Sequence, residues 1–257
     1  MIVTADGTIP QARVLVAVPC GDQVQTQFAF SMARMMGYTV GTIVGPGLPL
    51  EWLNVAYQPG TLIAPQRRDL VKLALELGAT HVLWVDSDTS FPKDALNRLL
   101  ARDKDYIGIV QSGRRMPFAP TAFVWENPER PTPIFVYPDS TGVLRVDAMG
   151  FGFTLCRTEV FRAVPEPWFP IFWGKLANGT WAINGEDVSF QELARKAGYE
   201  LYVDLDLSRD CGHIGTMEYR TDHALALRDE LREQGRFTVP TEMKNPEAKP
   251  HEDAKAA

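Results

Sequence analysis

The chain has 257 residues, 45% of them hydrophobic, enough to bury one large core or two small ones. Charged residues make up 23% and the formal net charge is −6, so general electrostatic attraction to nucleic acid is not expected. No apolar run approaches the roughly 20 residues of a membrane span, and Met1 to Gln11 is polar where a secretory leader would be apolar.

Val14 to Val18 is a continuous apolar run closed by Pro19, the pattern of a strand buried on both faces. Gly21 and Asp22 make a loop, Thr26 to Met36 reads as a helix stopped by Gly37, and Tyr38 to Val44 reads as a second strand. In the stretch Pro65 to Leu77, Leu70, Leu73, Ala74 and Leu77 recur at helical spacing, with Gly78 as the stop. Val82 to Val85 is another buried strand, Pro92 opens a helix with Ala95, Leu96, Leu99 and Leu100 on one side, and Tyr106 to Val110 is the next strand. Strand alternating with helix predicts an α/β fold with a mostly parallel sheet.

After Gln111 the pattern changes. Thr121 to Trp125, Ile134 to Tyr137 and Val143 to Val146 are short strand candidates between Pro, Asp and Gly turns, which suggests a mixed or antiparallel part. Phe151 to Cys156 is an apolar strand, and Pro165 to Asn184 reads as a long loop without periodicity. Asp187 to Ala197 is a helix capped by Gly198, Tyr199 to Val203 a strand, and Thr216 to Gln234 a terminal helix. From Thr238 onward the composition is that of a disordered tail. Cys20, Cys156 and Cys211, with no CxxC among them, read as small buried hydrophobes in a reducing compartment, so a cytoplasmic location is expected. The sequon at Asn178-Gly179-Thr180 is read as chance.

Four features carry chemistry. Asp86-Ser87-Asp88 ends the strand Val82 to Val85, at the edge where open α/β sheets bind ligands. Two carboxylates so close repel unless a cation joins them, and hard oxygen donors suit Mg²⁺ or Mn²⁺ brought in with phosphates. The bland reading is an acidic turn. Gly185-Glu186-Asp187 opens a helix, whose N-terminus favours a charged carboxylate able to accept a proton; plain capping is the bland reading. His213 stands between Gly212 and Gly215, where backbone can approach a ligand, although a lone histidine is more often structural. Gln66-Arg67-Arg68-Asp69 lies at a helix start suited to phosphate or a ring carbonyl; a solvated helix start is the alternative.

In this order the motifs resemble the GT-A fold glycosyltransferases, most closely the family-2-like group, from about Arg13 to Gly215. The resemblance implies a GT-A fold: a mostly parallel central sheet flanked by helices, with a smaller mixed or antiparallel acceptor-side sheet. It implies a single catalytic domain over 1–235, with a nucleotide-binding half at 13–110, an acceptor and catalytic half at 111–215, a C-terminal helix at 216–235 and a tail at 236–257. The first apolar strand of such enzymes ends near a proline, here Pro19, and an Arg-Asn element matches Arg68 and Asp69, with Asp in place of Asn. Arg67 and Arg68 would steady phosphates or base. Asp88 would bind the metal directly, with Asp86 at the ribose or a metal-bound water, Ser87 between them, and His213 as a further metal ligand. Gly150 and Gly152, in the run Met149 to Phe161, would shape the donor side. Asp187, with Glu186 beside it, would be the general base of an inverting transfer. The implied cofactors are Mn²⁺ or Mg²⁺ and a nucleotide-sugar donor, a UDP-sugar first, with hexosyl transfer to a glycan, a small molecule or a modified base in DNA. Trp168, Phe169, Phe172, Trp173 and Trp181 could stack on a sugar or base, or simply pack the loop. The rival readings are a nucleotidyltransferase, for which Pro19-Cys20-Gly21-Asp22 is a poor Gly-rich signature, and a non-catalytic sugar-nucleotide or glycan-binding module.

Overall fold

The computed structural model describes residues 11–43, 50–127, 130–175 and 181–236. In chain order the elements are β1 (Ala12–Cys20), α1 (Thr26–Ile43), β2 (Leu50–Pro59), α2 (Ile63–Glu76), β3 (His81–Val85), β4 (Thr89–Ser90), α3 (Ala95–Ala101) and β5 (Tyr106–Gly108). Then come β6 (Ala122–Asn127), β7 (Arg130–Pro133), β8 (Val143–Val146), β9 (Ala148–Met149), β10 (Phe153–Arg157), α4 (Thr158–Ala163), β11 (Phe172–Lys175) and β12 (Trp181–Asn184). The chain continues as α5 (Glu186–Lys196), β13 (Leu201–Asp204), α6 (Leu205–Asp210), β14 (Gly212–Ile214) and β15 (Glu218–Tyr219). A 3₁₀ turn over Thr221–Ala224 and α7 (Leu225–Glu233) follow.

The fold is α/β. A seven-stranded mixed sheet runs β2-β1-β3-β10-β5-β13-β8 and is flanked by helices. β2, β1 and β3 are mutually parallel, as are β5 and β13, while β10 lies antiparallel between β3 and β5 and β8 closes the sheet antiparallel to β13. The strands of the centre are apolar on both sides because both sheet faces are covered. Along β1, Val14, Val16 and Val18 enter one core with Phe28, Met32 and Met35 of α1 and Leu96 and Leu99 of α3. Leu15 and Ala17 enter the other with Leu70, Val71 and Ala74 of α2 and Phe161 and Phe190 of α4 and α5. Trp84 is fully buried and stacks on Phe151 at 5.9 Å; each such buried aromatic or aliphatic contributes about 1.5–3 kcal/mol of transfer free energy. Two small three-stranded sheets, β7-β6-β9 and β15-β14-β4, and the hairpin β11-β12 complete the architecture.

Several expectations are corrected. Gly37 does not end α1, and Tyr38 to Ile43 is helix rather than strand, because Phe28, Met32, Met35 and Thr39 keep one buried face at helical spacing through the glycine. The second strand is β2, a stretch without clean alternation. Ile134 to Tyr137 is buried but lies outside the strands. Part of the expected loop at 165–184 is the hairpin β11-β12, and the expected terminal helix is divided because Glu218–Tyr219 pairs with β14. Val143 to Val146 is the expected strand, and it lies antiparallel to β13 at the edge of the main mixed sheet. The loop after Ile43, the sequon, residues 1–10 and the tail from Thr238 lie outside the described residues. No described helix is long and apolar enough to cross a membrane, and all three cysteines are free thiols.

Candidate active site

The carboxyl ends of β1, β3 and β5 open at one edge of the sheet, and β10 enters at the same edge because it runs the other way, Phe153 pairing with Val85. A cleft of about 450 Å³ lies there. It is lined by Pro19, Cys20 and Gly21 after β1, Gln66 and Arg67 from α2, Asp86, Ser87 and Asp88 after β3, and Gln111 after β5. Gly150, Phe151 and Gly152 before β10, Glu186 and Asp187 of α5, and His213 of β14 complete the wall. Segments far apart in the chain therefore meet where an α/β sheet takes its ligands.

The turn carrying the two aspartates is pinned from below. Asp86 N–H donates to Gly152 C=O at 3.0 Å, Thr89 N–H donates to Asp86 C=O at 3.0 Å, and the Thr89 hydroxyl also reaches Gly152 C=O at 3.1 Å. A Cβ on Gly152 would fall 1.8 Å from Gln111 Oε1, so a larger residue there would have to displace the Gln111 amide. Gln66 ties the ends of β1 and β2 together, its side-chain amide donating to Cys20 C=O at 2.6 Å and Gln58 C=O at 2.7 Å.

Arg67 is the buried cation of the cleft. Its side chain is 4% exposed and its guanidinium lies over the Phe151 ring at 4.5 Å. Nη2 donates to Asp86 Oδ1 at 3.3 Å, and Nε lies 3.8 Å from Glu186 Oε1, beyond hydrogen-bond length. Nε and Nη1 are buried without a hydrogen-bond partner, and an unmet buried donor costs about 1–3 kcal/mol. Burial pushes the Asp86 carboxyl above its ordinary value, against the pull of Arg67 and with the added push of Asp88 and Asp187. Glu186 is raised for the same first reason, with Arg67 opposing and Asp187 adding to the rise.

Asp88 is held the other way. Burial would raise it, but His213 and Arg114 together outweigh that and keep its carboxyl below the ordinary value. His213 Nδ1 lies 3.0 Å from Ser112 C=O. A carbonyl only accepts, so Nδ1 carries a hydrogen, and Nε2 carries a proton when the ring is charged and a lone pair when it is neutral. That atom faces Asp88 Oδ2 at 3.6 Å. Two acceptors facing each other fit a proton or a cation between them. Asp187 sits in the first turn of α5; its Oδ1 accepts from Val188 N–H at 2.7 Å, and a Cβ on Gly185 would crowd that oxygen at 2.8 Å.

Arg68 and Asp69 are not part of the cleft. They pair with each other at 2.8 Å, each close to half exposed, on the outer side of α2. Trp168 and Phe169 are core residues, 6% and 5% exposed, with the Trp168 indole N–H donating to Val164 C=O at 2.8 Å; they offer no stacking surface. Phe172 and Trp173 are exposed on β11, and the side chain of Trp181 lies outside the described residues. Gln111 was missed from sequence, although a polar residue after a buried strand is the same signal that marked Asp86. Among the described residues no group of three or more His, Cys, Asp or Glu side chains converges as a metal cage. Asp86 is engaged by Arg67 at 3.3 Å and Asp88 by Arg114 at 2.6 Å, and Asp88 and His213 face each other as a two-donor pair. That set fits a hard cation that takes its remaining ligands from phosphate and water.

No family model and no curated protein matches the chain. Among solved structures it is similar to A197 from STIV, at 16% identity and a TM-score of 0.48 over 79% of this chain and 86% of that one. It is also similar to S. aureus TarS 1–349, at 15% identity and a TM-score of 0.40 over 76% of this chain and 57% of that one. The same protein in complex with UDP-GlcNAc gives 15%, 0.39, 76% and 55%, so the chain spans just over half of the TarS segment.

Proposed function

We propose that the chain is a metal-dependent glycosyltransferase that moves a sugar, a hexose first, from a nucleotide-sugar to an acceptor hydroxyl with inversion. The observation that carries this reading is the meeting of Asp86, Asp88, Arg67, Glu186, Asp187 and His213 in one cleft at the carboxyl edge of the sheet. The resemblance to GT-A enzymes supplies the roles. The donor's diphosphate lies against the Asp86–Asp88 turn and the backbone of Gly150 to Gly152. Asp88 and His213 would hold Mn²⁺ or Mg²⁺, which supplies neutralisation of charge on the departing diphosphate. Asp187 takes the proton of the acceptor hydroxyl as that oxygen bonds to the anomeric carbon, and the nucleoside diphosphate leaves from the opposite face. Arg67 keeps Asp86 and the start of α5 in place. The halves at 13–110 and 111–215 supply donor and acceptor sides. The exposed Phe172 and Trp173 on the hairpin that runs into Glu186 offer the acceptor an aromatic surface.

The test is Asp187→Asn, assayed against UDP-, GDP-, CMP- and dTDP-sugars with Mn²⁺. Transfer should fall about 10²–10⁴-fold. The donor should still raise the melting temperature, by the equivalent of about 2.7 kcal/mol at a hundred times its Kd. Asp88→Ala should abolish that shift. Normal turnover by Asp187→Asn overturns the mechanism, and no shift with any of these nucleotides overturns the donor reading.

A further inference from the structure

Asp88 Oδ2, the oxygen that faces His213 Nε2 at 3.6 Å, is also held by Arg114 Nη1 at 2.6 Å. Arg114 comes from the segment between β5 and β6, which is closed at its base by Gly113 N–H donating to Ala119 C=O at 2.7 Å. The same Nη1 donates to Ile214 C=O at 3.2 Å. The aliphatic stem passes over Gly215, where a Cβ would stand 3.1 Å from Arg114 Cδ, so a glycine leaves the arm its path. The side chain is 46% exposed, against 4% for Arg67. One arginine is therefore built into the site, and the other is laid on it from outside.

A guanidinium and a divalent cation on the same carboxylate oxygen repel each other, so each weakens the other's hold on Asp88. We propose that Arg114 is the exchangeable counter-ion of the cleft. It neutralises Asp88 in the free protein, yields that oxygen to the metal when a nucleoside diphosphate arrives, and moves onto the diphosphate oxygens. The proposal rests on the nucleotide-sugar reading above. An exposed ion pair is weak enough to exchange, and a guanidinium forms two parallel hydrogen bonds to a phosphate as readily as to a carboxylate. Metal alone must evict Arg114 with nothing to receive it, whereas metal with diphosphate supplies the receiving group. Metal and nucleotide therefore bind with positive coupling, and the coupling is reciprocal.

The experiment measures Mn²⁺ binding by the electron paramagnetic resonance signal of the free ion. Wild type, Arg114→Gln and Arg115→Gln (the exposed neighbour, as control) are compared with and without UDP, and with GDP, CMP and dTDP in turn where UDP is not taken up. Arg114→Gln should bind Mn²⁺ alone about fivefold or more tightly than wild type, and the gain on adding UDP should shrink by a similar factor. Arg115→Gln should track wild type. Unchanged or weaker Mn²⁺ binding by Arg114→Gln without UDP overturns the proposal. If wild type takes up UDP with Mn²⁺ and Arg114→Gln behaves identically, the counter-ion role falls while the nucleotide reading stands. If neither protein takes up UDP, GDP, CMP or dTDP with Mn²⁺, both fall.

Discussion

Arg67 and Glu186 show how much charge this cleft tolerates. A carboxylate raised by burial holds its proton more tightly in the folded chain than in the unfolded one, and Glu186 is such a group. The unfolded chain gives up that proton near the ordinary value of 4.5, so from there upward the folded state loses relative stability until Glu186 has ionised too. The contribution at neutral pH is therefore unfavourable, and Glu186→Gln should remove it. The variant is expected to melt above the wild type at a pH of about 8, with the two curves converging below about pH 4.5. A variant that melts lower at a pH of about 8 would mean that the Arg67 ion pair outweighs burial. Which arginine enters the cleft was legible in the sequence, though the family pattern pointed to Arg68. The apolar positions Leu70 and Ala74, run back along the helix, pass through Arg67 and leave Arg68 and Asp69 outside, as the buried face of α2 has it. Of the long-range partners of Asp88, His213 was named by the resemblance and Arg114 was not. Nothing in the local pattern of Arg114 says that it reaches across the cleft.

At the scale of elements, strongly periodic or wholly apolar segments were readable and short irregular ones were not. β1, β3, α2 and α5 follow directly from apolar runs and i, i+3, i+4 spacing, because both sheet faces and one helix face are buried. β4, β14 and β15 have two or three residues each and exist through pairing with one another, which no local signal announces, although they place His213. α1 misled in the opposite sense. Gly37 looks like a stop, yet tertiary contacts carry the helix past it to Ile43, and Thr39 is anchored to Asn97 at 3.1 Å. Gly37 is exposed, and a Cβ there would meet nothing within 4 Å. Gly37→Ala should therefore stabilise the protein by about 0.5–1 kcal/mol, read as a rise in melting temperature. A decrease would show that the helix bends there in a way that needs glycine.

At the scale of the molecule, the two halves share one sheet. β10 comes from the second half and lies between β3 and β5 of the first, and β13 pairs with β5. Neither half can keep its hydrogen-bonded centre without the other. Far-UV circular dichroism and tryptophan fluorescence should thus follow one coincident denaturant transition, even though chains above about 150 residues often populate intermediates. Two separated transitions would mean that 13–110 and 111–215 fold on their own.

The same insertion sets an order on biosynthesis. β3 and β5 leave the ribosome with facing edges that only β10 can join. At about 5–20 residues per second, the stretch from Val85 to Arg157 takes roughly 4 to 14 s to appear. Through that interval the nascent chain presents apolar strands with open edges, the form most prone to pairing with another chain. The strand that brings Gly152 to the aspartate turn is also the one that ends this exposure, so one pairing event removes the open edges and sets the floor of the cleft, before α5 and β14 add the rest of its wall.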